Sequence, residues 1–131
     1  MPRFLNPPGL APPASRFSHG VEHRLAVRRL LISGQVGVRP DGSVPEGLEA
    51  QTELALDNLI AVLGEAGMEI ADLVKMTTYV TVPGAVATFR RVRDRRFSGH
   101  APASTYLEVA GLASPRFLVE IEGEAVKEFE P

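Results

Sequence analysis

Phe117-Leu118-Val119-Glu120-Ile121-Glu122-Gly123-Glu124-Ala125 puts Phe117, Val119, Ile121, Gly123 and Ala125 on one face of an extended chain, and Leu118, Glu120, Glu122 and Glu124 on the other. A period of two is the signature of a strand with one face buried. Three carboxylates within ~7 Å of one another repel unless water, hydrogen-bond donors or another chain offsets the charge. The acidic face is therefore the first place to look for chemistry. Just upstream, Pro102-Ala103-Ser104-Thr105-Tyr106-Leu107-Glu108-Val109-Ala110 reads as a second strand, so the chain closes on two strands.

Working outward, residues 73–82 are rich in β-branched side chains and read as another strand, with Val74, Met76, Thr78, Val80 and Val82 on one face. On either side lie helical patterns. In residues 47–66 the apolar positions Leu48, Ala55, Leu59, Val62 and Ala66, with Leu56 and Leu63 beside them, recur every three or four residues. Gly67 follows where a left-handed helix cap belongs. In residues 84–97 the buried set is Val86, Phe89, Val92 and Phe97. Residues 18–24 and 28–36 suggest a hairpin of two further strands, although the turn between them lacks Gly or Asn. Gly42, in the turn cluster that follows, is free to take positive φ. Residues 1–15 contain five prolines and are expected to run extended over the surface with little regular structure. The order is β-β-α-β-α-β-β. It predicts an α/β fold, a two-layer α+β sandwich with two helices on one face of a mixed sheet. The other face is bare and carries apolar residues such as Leu118 beside the glutamates, so a homo-oligomer is expected.

At 131 residues the chain is one domain. The hydrophobic fraction of 44%, charged fraction of 23% and net charge of −2 are ordinary for a globular protein and give no overall pull toward nucleic acid or anionic membrane. With no cysteine there is no disulfide framework and no thiolate chemistry, which permits a reducing cytoplasm. No stretch approaches the ~20 apolar residues of a transmembrane helix, and the N-terminus reads as neither a signal peptide nor a membrane span. His19 and His23 sit four apart, but in a strand that places them ~13 Å from each other, so no metal and no cofactor is expected. Arg90, Arg91, Arg93, Arg95 and Arg96 crowd the second helix. Such a run can touch phosphates, but it lacks stacking aromatics in an acidic chain, and nucleic acid is disfavoured against pairing with the many glutamates.

Several separated motifs resemble one family, the reactive intermediate deaminases (Rid, or YjgF-type). They are Ile32-Ser33-Gly34-Gln35-Val36; Gln51 with Asn58-Leu59; Ala66-Gly67 with Asp72-Leu73-Val74-Lys75; Pro102-Ala103; Glu108-Val109-Ala110; and Val119-Glu120-Ile121-Glu122. The resemblance spans residues 17–126, within a single domain of residues 16–131. It implies a chorismate-mutase-like fold, a homotrimer, and small-molecule clefts at the subunit interfaces that hydrolyse enamines or imines with release of ammonia. It also implies that Ser33 and Gly34 contact the ligand and that Glu120 positions water.

Two departures alter that implication. Where the family carries an Arg after Pro-Ala this chain has Ser104, and where it carries a Tyr before the first strand this chain has Phe17. An arginine fork holds a carboxylate through charge-assisted bonds of ~1.5–3 kcal/mol each, against ~1 kcal/mol for a serine hydroxyl. The usual 2-imino acid thus loses its anchor, and Arg90, bordering the cleft, is the candidate replacement. The expected function is hydrolysis of an enamine or imine other than the usual ones, with Glu120 catalytic and Ser33, Gly34, Phe17, Arg90, Ser104, Thr105 and Tyr106 binding. The alternative is a trimeric binder without catalysis. A solvated or ion-paired role for Glu120, and a turn-capping role for Ser33, weigh against the functional assignments.

Overall fold

The computed structural model describes residues 2–23 and 27–128. Its main sheet has the order β3-β6-β4-β5, formed by β3 (Val27–Val36), β6 (Val119–Glu128), β4 (Leu73–Val80) and β5 (Ala103–Glu108). β6 runs antiparallel to both of its neighbours, and β4 and β5 run parallel. A parallel pair needs a crossover, which here is α2 (Val86–Phe97). α1 (Leu48–Glu65) packs beside α2 on the same face of the sheet. The two-layer arrangement expected from the element order is thus the one observed.

The acidic strand lies in the middle of the sheet because its apolar half has nowhere else to go. Val119, Ile121 and Ala125 are fully buried under the helices, while Glu120, Glu122 and Glu124 face away from them. Leu56, Leu59 and Leu63 of α1 are likewise fully buried, each worth ~1.5–3 kcal/mol of transfer free energy. α1 ends as its sequence foretells. Gly67 takes φ 69°, its N–H bonds the Gly64 carbonyl, and the N–H of buried Met68 bonds the Leu63 carbonyl, which satisfies carbonyls that the helix end would orphan. Gly42 also has positive φ, at 86°.

The N-terminal third differs from expectation. The hairpin of residues 18–24 with 28–36 is not formed: β2 (Gly20–Glu22) pairs antiparallel with β1 (Arg3–Leu5), and β3 pairs with β6. Arg24 lies outside the described residues. The reason is length and turn chemistry. A ten-residue strand finds a ten-residue partner in β6, and the connection from β2 offers no residue suited to a tight turn. Part of the proline-rich segment is consequently a strand, Arg3–Leu5, where little regular structure was expected. Ser18 joins the main sheet through a bridge to Ala103, which places Phe17 beside β5.

The helix-free face of the sheet is open. Leu31 and Leu107 stand exposed on it, at 65% and 44%. Leu118, which the alternation assigned to this face, instead precedes β6 and packs against the core, with its N–H donated to Gln51 Oε1 at 2.8 Å.

β3 and α1 meet so closely at Gly37 that a Cβ there would sit 2.6 Å from the Gln51 carbonyl oxygen and 2.8 Å from its Cα. Backbone cannot yield as a side chain does, so Gly37→Ala is expected to cost ~1–3 kcal/mol and to lower the melting temperature in a thermal unfolding scan. An unchanged melting temperature would refute the close approach.

Candidate functional site

Four of the eight sequence-derived site residues line one cavity of about 340 Å³ between α2, β5 and the segment entering β2: Phe17, Arg90, Ser104 and Tyr106. The alternation of β5 explains the set. Ser104 and Tyr106 pair with buried Met76 and Thr78 of β4, so they point to the helix side of the sheet. Tyr106 stacks at a tilt on Phe89, with ring centroids 5.5 Å apart. Burial pushes its phenol above the ordinary pKa, as does the charge of Glu108, while the Arg90 guanidinium pulls the other way. Its Oη is buried and has no hydrogen-bond partner among the described residues.

Ser33, Gly34 and Glu120 form a second group. Pairing of β3 with β6 slips between Ile32 and Gln35, so one extra residue bulges at Ser33-Gly34 opposite Glu122. A Cβ on Gly34 would overlap the Glu120 carboxylate, which therefore lies directly against the glycine backbone. Around it, Tyr79 donates from Oη to Glu122 at 2.6 Å and Arg29 pairs with Glu124 at 2.8 Å. The bond to Glu122 raises the Tyr79 pKa, and burial and the charges of Glu122 and Glu120 add to it. The repulsion among the three carboxylates is thus met by a phenol and a guanidinium from neighbouring strands. Ser33 lines a shallow cleft of about 380 Å³ on the open face with Leu31, Lys75 and Thr77. Thr105 also faces this side, where its hydroxyl accepts a hydrogen bond from Lys75 Nζ at 2.8 Å.

A single chain does not unite the two groups. Phe17, Arg90, Ser104 and Tyr106 lie on the helix side, and Glu120 and Thr105 on the open side, so the sheet itself stands between them. Thr105 is accordingly not beside Tyr106 in the cavity, although it is adjacent in sequence.

Arg93 went unassigned in the sequence. It lines the same cavity and is 3% exposed. Its signal was available: Phe89, Arg93 and Phe97 recur every four residues, which puts the arginine in the buried stripe of α2. Apart from Arg90, which borders the cavity, the rest of the arginine run points outward to α1. Arg91 pairs with Glu49, Arg95 with Glu49 and Glu53, and Arg96 with Glu53 and Asp57. Three acids thus neutralise three of the guanidiniums that could otherwise meet phosphates. His19 and His100 donate from Nε2 to the Ala11 and Leu73 carbonyls, at 2.8 and 2.7 Å. Among the described residues no three of His, Cys, Asp or Glu gather where a metal could be held.

The family model described as endoribonuclease L-PSP matches residues 9–127. The 2-iminobutanoate/2-iminopropanoate deaminase of Escherichia coli K12 is 35% identical over 102 residues, covering 75% of this chain and 79% of that protein. YyfB from Yersinia pestis, a Rid family protein of unknown function, superposes with a TM-score of 0.85 at 38% identity over 95% of this chain and 97% of its own. The E. coli TdcF structure with bound serine superposes with a TM-score of 0.71 at 29% identity, over 86% of this chain and 94% of its own.

Burial works to raise the Glu53 pKa, but hydrogen bonds from Arg95 and Arg96 outweigh it and hold the carboxyl below its ordinary 4.5. A depressed carboxyl stabilises the fold above its unfolded pKa and loses that contribution as the pH falls through the folded value. The melting-temperature gap between wild type and Glu53→Gln should therefore be widest near neutrality and shrink steadily below about pH 4.5. A gap independent of pH would show that the α1–α2 ion pairs do not act as described.

Proposed function

The chain belongs to the endoribonuclease L-PSP family, the family of the Rid or YjgF-type proteins, and on that premise we propose that it hydrolyses a small reactive enamine or imine other than 2-aminoacrylate or 2-iminopropionate. The observation that carries this reading is the cavity gathering Phe17, Arg90, Ser104 and Tyr106 at the edge of the sheet. It accommodates a small molecule, and its aromatic walls suit a planar C=N or C=C–N system. The deaminase relative acts on 2-imino acids, whereas here Ser104 offers only a hydroxyl at the position where the family's arginine stands.

In the proposed reaction Glu120 accepts a proton from water as the oxygen bonds to the C=N carbon and passes that proton to the nitrogen, giving a carbinolamine. Collapse of the carbinolamine then forms the C=O bond, breaks the C–N bond and releases ammonia. The Ser33-Gly34 bulge holds the carboxylate in place through close backbone approach. Because the cavity and Glu120 lie on opposite faces of one sheet, a second copy must bring its Glu120 to the cavity. The exposed Leu31 and Leu107 on the open face fit burial in that contact, and we propose a homotrimer. No helix among the described residues is long and apolar enough to cross a membrane, and we place the protein in the cytoplasm. The outward arginines are tied to Glu49, Glu53 and Asp57, so the geometry favours the deaminase reading over RNA cleavage.

Wild-type protein should release little or no ammonia from freshly generated 2-iminopropionate, while Ser104→Arg should raise kcat/KM for that substrate by about tenfold or more. Robust wild-type turnover would overturn the role given to Ser104. With an accepted substrate, Glu120→Gln should lower kcat by about 10²-fold or more, whereas unchanged turnover would remove Glu120 from the mechanism. A monomer in sedimentation velocity would rule out a shared site.

A further inference from the structure

One wall of the cavity is neither helix nor strand. Ala14 and Ser15 line it from the loop that joins β1 to β2, while α2 and β5 supply the rest. That loop is clipped at two places. Toward its start, His19 donates from Nε2 to the Ala11 carbonyl at 2.8 Å and from its backbone N–H to Asn6 Oδ1 at 3.0 Å. Toward its end, buried Ser18 donates from Oγ to the Ala101 carbonyl at 2.6 Å and from its N–H to the Pro102 carbonyl at 3.0 Å. Between the clips, residues 12–16 make no hydrogen bond to α2 or β5 among the described residues. Pro12 and Pro13 have no N–H to offer, and their fixed φ stiffens the segment into a strap.

Among the described residues, what ties this strap to α2 is an ion pair, Arg16 Nε with Asp94 Oδ2 at 3.9 Å. Asp94 is the fixed half, because its Oδ1 accepts two bonds from buried Arg93, at 3.1 and 3.0 Å. Arg16 is the free half, its side chain 58% exposed. A long, exposed pair is weak and is screened by salt. It suits a segment that opens, not one that is fixed.

We propose that residues 12–16 gate the cavity, hinged at Ser18 and latched to α2 by Arg16 and Asp94. Closed, the strap holds Ala14 and Ser15 against the cavity; open, it clears a path to Ser104 without disturbing any strand of the main sheet. The inference goes beyond the reaction proposed above and needs only the cavity, so its test requires no substrate.

The chain has no cysteine, so a thiol placed in the cavity reports access without background. Ser104→Cys is nearly isosteric at a half-buried position, and Ala61→Cys on the exposed side of α1 is the reference. Each full-length variant is reacted with excess 2,2′-dithiodipyridine, a neutral reagent, and the rate is read from the pyridinethione released. The thiol at position 104 should react about tenfold or more slowly than that at position 61. Adding Arg16→Ala, which leaves Asp94 with Arg93, should speed position 104 about threefold or more and leave position 61 unchanged. Losing a nearby cation by itself makes the thiolate scarcer, so a faster reaction reports access and not thiol chemistry. Added salt should speed position 104 when Arg16 is present and not when it is absent. A thiol at 104 that reacts as fast as the one at 61, an unchanged rate on Arg16→Ala, or equal acceleration at both positions would overturn the gate. Acceleration confined to position 104 in a protein that turns over no imine would uphold the strap and count against the deaminase reading alone.

Discussion

Everything in this molecule is arranged about β6, a strand that must bury one face and cannot bury the other. Val119, Ile121 and Ala125 close the core under α1, and only a central position supplies a strand on each side to pair their backbone. The same alternation forces Glu120, Glu122 and Glu124 onto the opposite face, where Tyr79 and Arg29 meet two of them from β4 and β3. The sheet therefore separates an apolar layer from a charged one. Each side then has its own chemistry.

That separation governs the candidate site. The aromatic cavity grows on the helix side because β5 is an edge strand whose Ser104 and Tyr106 look toward α2, with no further strand to cover them. Glu120 grows on the open side, beside the glycine of a bulge. Neither half suffices for water addition to a bound C=N carbon. A fold of this kind can complete such a site only by lending one copy's open face to another's edge, which ties the proposed activity to the proposed assembly.

The arginines of α2 show how one helix serves two purposes by rotation alone. Arg91, Arg95 and Arg96 turn to the acids of α1 and contribute to helix packing, where each exposed pair is worth ~0–1 kcal/mol and the network somewhat more. Arg93 turns inward between Phe89 and Phe97, into low dielectric, where a charge acts more strongly on any partner. Composition cannot distinguish these roles, because all are the same residue type in one short run.

Read as a sequence, the chain determined its elements and their faces: the 3.6-residue stripe of α1, the Gly67 cap, the strict alternation of β4 and β6, and the family motifs along its length. These are local, set by side-chain period and backbone preference, and so are legible without a partner. Pairing is not local. That β2 joins β1 and β3 joins β6, that Leu118 folds inward, and which of Thr105 and Tyr106 faces the helices were settled only by the tertiary structure. The burial of Arg93 belongs with these, since the stripe of α2 marks the position but only packing against β5 encloses the charge. Strand partners and cavity walls are chosen by contacts between residues tens of positions apart, and a sequence read in order carries no distance between them.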